Sequence, residues 1–179
     1  YLLLSRIWKA GKWMYCFAAL SAGAVFFLGI CDRFSFHLIP LEIRDPAFLS
    51  TLGNINWYCG YYSVLAPVCV SLFFFAKSKK ECILWGAVAF LYFMAGFCQG
   101  ASSVFLIFGA LLYLLLFVSL QNKKWLARWC ELVSLWAFAS QGIGLLRRIR
   151  PEGYLYETDN LCGLCTETGV LFGVGAAFL

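Results

Sequence analysis

The chain has 179 residues, 63% hydrophobic and 13% charged, with a formal net charge of +5. Soluble domains are roughly 25% charged and less than half apolar, and a small one keeps too much of its surface wet to hide this apolar excess. The composition excludes an ordinary water-soluble domain and indicates a polytopic membrane protein, and the basic residues, set in small clusters between apolar tracts, follow membrane topology rather than a nucleic-acid footprint.

A membrane helix needs about 20 mostly apolar residues. Spans are expected near 13–31, 56–76, 82–98, 103–120, 129–146 and 168–179. Trp13 to Cys31 is the first, and Tyr1 to Leu4 reads as the tail of an earlier helix. Asn56 to Ala76 is the second, with Pro67 in its middle, which membrane helices tolerate where neighbours re-satisfy the backbone. Between Glu81 and Lys123 no residue is charged. That run is too long for one helix, and "CQGASS" (Cys98 to Ser103) divides it into a hairpin. The fifth span is weaker, because Glu131 lies near its start, and the sixth begins near Thr168. The expectation is an all-α, polytopic transmembrane bundle of about six spans, the last truncated, forming a single membrane domain over residues 1–179. A start without Met and an end inside an apolar run suggest a piece of a longer protein.

The charges between spans set the orientation. Arg6, Lys9 and Lys12 precede the first span, Lys77, Lys79 and Lys80 follow the second, and Lys123, Lys124 and Arg128 follow the fourth. With these on the cytoplasmic side, nine of the fourteen basic residues face inward and the N-terminal segment is cytoplasmic. The other side holds Arg33, Arg44, Arg147, Arg148 and Arg150, among Asp32, Glu42, Asp45, Glu152, Glu157 and Asp159. Two readings of these outer arginines stand open: salt-bridged loop residues, or ligands for an anionic headgroup or diphosphate, which the planar guanidinium suits.

Polar residues near the span ends carry the candidate chemistry. In "STLGNINWYCGYYS", Ser50 and Thr51 lead to Gly53, which reads as a helix stop after a short helix opened by Pro46 and capped by Asp45. Asn54 and Asn56 then precede the second span, and helix capping accounts for one of them but not both. Trp57, Tyr58, Tyr61 and Tyr62 suit an interfacial aromatic belt or stacking on sugar faces. Gln99, Ser102 and Ser103 suit a tight turn with an N-cap. Gly96 with Gly100, and Gly169 with Gly173, make GxxxG pairs. Cys162 and Cys165 form a CxxC, but His37 is the only histidine and no second ligand pair accompanies them. Packing thiols or a labile disulfide fit that arithmetic better than zinc. No hydrolase Ser/His pair, phosphate-cradling glycine loop or nucleotide fingerprint occurs, and neither metal nor cofactor is expected.

Gly53-Asn54-Ile55-Asn56 entering a helix, a mid-helix Pro67, and one hairpin later the small-residue turn and apolar helix "QGASSVFLIFGALLYLLL" resemble the O-antigen ligase and polymerase family of bacterial membrane proteins. The resemblance covers about Ser50 to Leu120. It implies a GT-C-like, metal-independent glycosyltransferase of the bacterial inner membrane. Such a protein transfers a polyprenyl-diphosphate-linked glycan to a saccharide or lipid-linked acceptor at the extracytoplasmic face. Its partners are then the lipid bilayer, the lipid-linked glycan and the acceptor, with no nucleic acid. The substrate-binding candidates are Arg33, Arg44, Asn54, Asn56, Gln99 and Ser102. Many members carry Arg in the turn where this chain has Ala101-Ser102-Ser103, and His37 lies in a different loop from the family's proposed base. The catalytic base is therefore unassigned, and the chain alone is not expected to be a competent enzyme. A transporter or flippase is the alternative, with Ser134, Ser140 and Gln141 as the mid-span polar residues it would need.

Overall fold

A computed structural model describes residues 11–36, 38–39, 48–99, 102–151, 165–166 and 169–178. Six helices and one small hairpin make up the regular structure among these residues: α1 (Lys12–Arg33), β1 (Phe48–Leu49), β2 (Gly53–Asn54), α2 (Ile55–Phe74), α3 (Lys79–Gln99), α4 (Ser102–Ser119), α5 (Lys123–Ile149) and α6 (Val170–Ala177). Helices α1, α2, α3 and α5 are long and apolar enough to cross a membrane, while α4 is as apolar but shorter and α6 has 8 residues. Among the described residues, four of the six expected spans coincide with helices of membrane-crossing length and the other two with the shorter α4 and α6.

Helix α1 shows how the bundle sorts an almost wholly apolar chain. Ala19, Ala22, Gly23, Phe26, Gly29, Ile30 and Arg33 recur at three- and four-residue spacing and are buried. Trp13, Phe17, Leu20 and Phe27 on the remaining surface are exposed, and apolar. A helix that is hydrophobic all round belongs in a large core or a membrane. The helix ends where Phe34 leaves the helical region and Ser35 takes a φ of 57°.

Helix α3 is the hub, packed on α1, α2 and α5, while α5 also carries α4 and α6. Lys12 meets Glu81 at one end and Arg33 meets Gln99 at the other, so α1 and α3 run in the same direction. Helix α2 runs oppositely, through Pro67 without a break. The ends therefore sort as the charge pattern expects. One carries Lys12, Lys77, Lys79, Lys80, Lys123 and Lys124, and the other carries Arg33, Arg147 and Arg150.

Aromatic rings fill the space between α1, α2, α3 and α4. Phe26 lies 5.2 Å from Tyr58, 5.2 Å from Tyr62 and 4.7 Å from Tyr92, all edge-on. Two of these tyrosines tie helices together through carbonyls. Tyr62 Oη donates to Tyr92 O at 2.9 Å, and Tyr92 Oη donates to Ala19 O at 3.0 Å. Gly96 makes room for this packing, since a Cβ there would stand 3.0 Å from Tyr62 Oη and closer still to Val104 and Phe108. Gly173 meets nothing within 4 Å among the described residues, so the second GxxxG pair has no packing partner on that side.

Two expectations change in the helices. Helix α5 starts at Lys123, capped by Asn122, whose side-chain oxygen accepts from Lys124 N–H at 2.9 Å, rather than near Trp129. Hydropathy left out Lys123, Lys124 and Arg128, but backbone hydrogen bonding continues through them; the two lysines are exposed, while Arg128 folds back over the Phe73 ring. Glu131 sits inside that helix, in an ion pair with Arg128 at 2.8 Å. The expected helix tail at Tyr1 to Leu4 and the Asp45–Pro46 helix start lie outside the described residues.

Candidate functional site

At the arginine-bearing end, two polar residues on the last turn of α1 tie together segments far apart in sequence. Asp32 Oδ2 accepts the Ser50 N–H at 2.9 Å. Its neighbour Arg33 donates from Nη2 to the carbonyl oxygen of Gln99 at 3.3 Å. One helical turn therefore holds both the "STLGNIN" segment and the C-terminus of α3. Arg33 is 1% exposed. Burying a guanidinium is costly unless hydrogen bonds receive it, and a carbonyl at a helix C-terminus, where the helix dipole is negative, is a suitable acceptor.

The Ser50 segment is a hairpin, not the expected helix stop. Phe48 pairs with Asn54 and Leu49 with Gly53 in antiparallel register. Gly53 has φ 74° and Ser50 φ 55°, both left-handed, so the turn and not a helix end explains the glycine. Ser50 tolerates its conformation because it is held at two atoms: the N–H on Asp32, and Oγ donating to Val25 O at 2.7 Å.

Asn54 is the N-cap of α2. Its backbone is extended (φ −64°, ψ 140°) and its Oδ1 accepts the Asn56 N–H at 2.8 Å. Asn56 supplies that N–H and leaves its own side chain exposed. Trp57 beside it is 74% exposed, whereas Tyr58 turns fully inward. Gly29 receives the Tyr58 ring, for a Cβ there would stand 2.7 Å from Tyr58 Oη. The rim at Asn54, Asn56 and Trp57 is thus open, and Tyr58, Arg33 and Gln99 lie closed beneath it.

Gln99 is 1% exposed and donates from Nε2 to Ala95 O at 3.2 Å. Its Oε1 and Tyr58 Oη are buried, and the two side chains lie beside one another without either atom making a well-formed hydrogen bond among the described residues. Ser102 opens α4 directly after the turn; its side chain, Arg44 and His37 lie outside the described residues. Of the six candidates, then, Arg33 and Gln99 are brought into contact, and Asn54 and Asn56 form the rim of the same end. Two other arginines close this end from α5. Arg147 donates to Thr166 Oγ1 at 3.3 Å, and the Arg150 guanidinium stacks 3.9 Å over the Phe36 ring. Sequence reasoning missed Asp32 and Ser50, which no local spacing pairs.

The remaining polar residues serve the fold. Ser134 Oγ donates to Gly175 O, Ser140 Oγ to Ala137 O, and Gln141 Nε2 to Cys165 O, so α5 uses them to hold α6, its own turn and Cys165 ahead of α6. The described cysteines are free thiols, and partial burial pushes the Cys165 thiol up from its ordinary value; Cys162 lies outside the described residues. Among the described residues no group of three His, Cys, Asp or Glu is placed to hold a metal ion. No family model matches the chain, and neither a curated protein nor a solved structure matches it significantly. What sequence and fold together define is a helical protein with, among the described residues, four helices long and apolar enough to cross a membrane and a polar cluster at its arginine-bearing end.

Proposed function

We propose that this chain is part of a GT-C-like integral membrane glycan ligase or polymerase of the O-antigen ligase kind. In this reading the arginine-bearing end faces outward from the bacterial inner membrane. A glycan is transferred there from a polyprenyl diphosphate to a saccharide or lipid-linked acceptor. The observation that carries the reading is the tie made by Asp32 and Arg33. The two segments that resemble the family's motifs, Ser50 to Asn56 and Gln99 to Ser103, are both anchored to one turn of α1. A leaving diphosphate needs fixed cationic and hydrogen-bonding groups where its charge develops. Arg147, Arg148 and Arg150 at the surface of this end, with the exposed side chains of Asn54 and Asn56, are suited to that, Arg33 braces them from beneath, and Arg44 joins them by chemistry. The exposed Trp57 is suited to a sugar face.

The test uses the full-length protein and separates capping from substrate contact at Asn54. Asn54→Ser keeps an N-cap but removes the carboxamide, whereas Asn54→Ala removes both. With membrane insertion intact, Asn54→Ser, Asn54→Ala and Arg44→Ala are each expected to lower the yield of polymer or ligated glycan at least tenfold. Wild-type glycan in all three variants would sink the assignment.

A further inference from the structure

A groove of about 490 Å³ opens between α1 and α2 at the lysine-rich end, opposite to the cluster above. Its walls are apolar, with Pro67, Val68, Leu72 and Phe75 along the α2 side, and Lys12 and Lys77 also line it. Glu81 builds the lysine side. Lys12 Nζ donates to its Oε1 at 2.6 Å and the Lys77 backbone N–H donates to its Oε2 at 2.9 Å. This carboxylate clamps the first turn of α1 to the loop after α2, and both its oxygens are engaged within the protein. Lys12, Lys77, Lys79 and Lys80 surround this one acid, so the region stays net positive, and all four lysines are exposed.

The groove also has the depth of a lipid. From Pro67 to Phe74 the helix rises about 10 Å, against about 15 Å for half of a bilayer's hydrocarbon core. It therefore begins near headgroup level and descends into the acyl region of one leaflet. A further protein helix laid here would cover the apolar walls but leave the Lys77 ammonium without a counter-charge. A phospholipid with a negative headgroup satisfies both. We propose that this groove is a specific site for an anionic phospholipid of the leaflet at the lysine-rich end. Lys77 and Lys12 hold its phosphate, and an acyl chain lies along Pro67, Val68 and Leu72. The proposal rests on α1 and α2 spanning the bilayer and is independent of any glycan chemistry.

Native mass spectrometry of the purified full-length protein in neutral detergent tests it, by titration with dioleoyl phosphatidylglycerol or dioleoyl phosphatidylcholine. One lysine near a membrane surface contributes about fivefold in affinity for an anionic lipid. Phosphatidylglycerol is expected to bind at least fivefold more tightly than phosphatidylcholine. Lys77→Ala, a change in an exposed loop, is expected to lower phosphatidylglycerol affinity about fivefold and leave phosphatidylcholine unchanged. Lys124→Ala on α5 is expected to leave both unchanged, and Val68→Trp, which fills the groove, to remove the preference. Equal binding of the two lipids to wild type overturns the proposal, as does full phosphatidylglycerol binding in Lys77→Ala. Displacement of the lipid by an equal concentration of inorganic phosphate also overturns it, by reassigning the lysines to a free anion.

Discussion

Tyr58 and Gly29 give the sharpest test of the packing between α1 and α2. Tyr58 is fully buried, and its hydroxyl, beside the Gln99 side chain, makes no well-formed hydrogen bond among the described residues. A buried hydroxyl left unpaired costs about 1–3 kcal/mol. Its dispersion contacts return only about 0.1–0.2 kcal/mol each. Tyr58→Phe is therefore expected to stabilise the protein by about 1 kcal/mol. Gly29→Ala acts oppositely. Its Cβ would stand 2.7 Å from Tyr58 Oη and 2.8 Å from Cε2, an overpacking worth about 1–3 kcal/mol of destabilisation. Because Oη is the nearest of those atoms, the double variant should be more stable than the two single effects add up to, with a coupling of about 0.5–1 kcal/mol. Rescue stays partial, since Cε2 remains in the way. Equilibrium unfolding in mixed micelles of dodecyl sulfate and a neutral detergent, followed by tryptophan fluorescence, measures all four corners of the cycle. A Tyr58→Phe variant destabilised by more than about 1 kcal/mol would refute the reasoning, because it would mean the hydroxyl is hydrogen-bonded.

The same assay separates other residues. Tyr92→Phe removes a hydroxyl that does have a partner, Ala19 O at 3.0 Å, and is expected to destabilise by about 1 kcal/mol, the opposite sign to Tyr58→Phe. Asn54→Ala is expected to cost about 1 kcal/mol through the lost cap, with Asn54→Ser close to wild type. Asn56→Ala, with an exposed side chain, should stay within about 0.5 kcal/mol. Cys165 gives a pH-dependent readout. Burial raises its thiol pKa, so less thiolate is present at neutral pH, and its alkylation by a maleimide should lag behind that of a free thiol in solution and climb as pH rises toward that pKa. Peptide mapping of the alkylated protein measures this, and a rate equal to glutathione's at neutral pH would contradict it.

Much of the helix layout is legible in the chain because hydropathy and charge are local signals. The expected second span at 56–76 is the helix Ile55–Phe74, and 103–120 is the helix Ser102–Ser119. The break at "CQGASS" falls between Gln99 and Ser102. Where locality failed, a nonlocal or non-hydropathic cause was at work. Helix α5 extends past its apolar stretch because an asparagine cap and backbone hydrogen bonds reach back to Lys123. Gly53 serves a hairpin turn, whose partner strand at Phe48–Leu49 had no strand periodicity to announce it. Of the candidate site, the choice of Arg33 and Gln99 rested on side of the membrane and residue chemistry, and neither reported that the two would touch.

The sequence by itself determined that the chain is a membrane-type bundle, where its helices run, and which ends gather lysine and which arginine. Those properties follow from counting apolar residues against a bilayer's thickness and placing charges between the runs. Only the tertiary structure decided which face of each helix turns inward. A helix such as α1 is apolar on both faces, so its hydropathy has no phase from which to read the buried stripe. Shape supplied the phase instead: Gly29 receives Tyr58, Gly96 receives Phe108, and Arg33 turns in to reach a carbonyl 66 residues further along the chain.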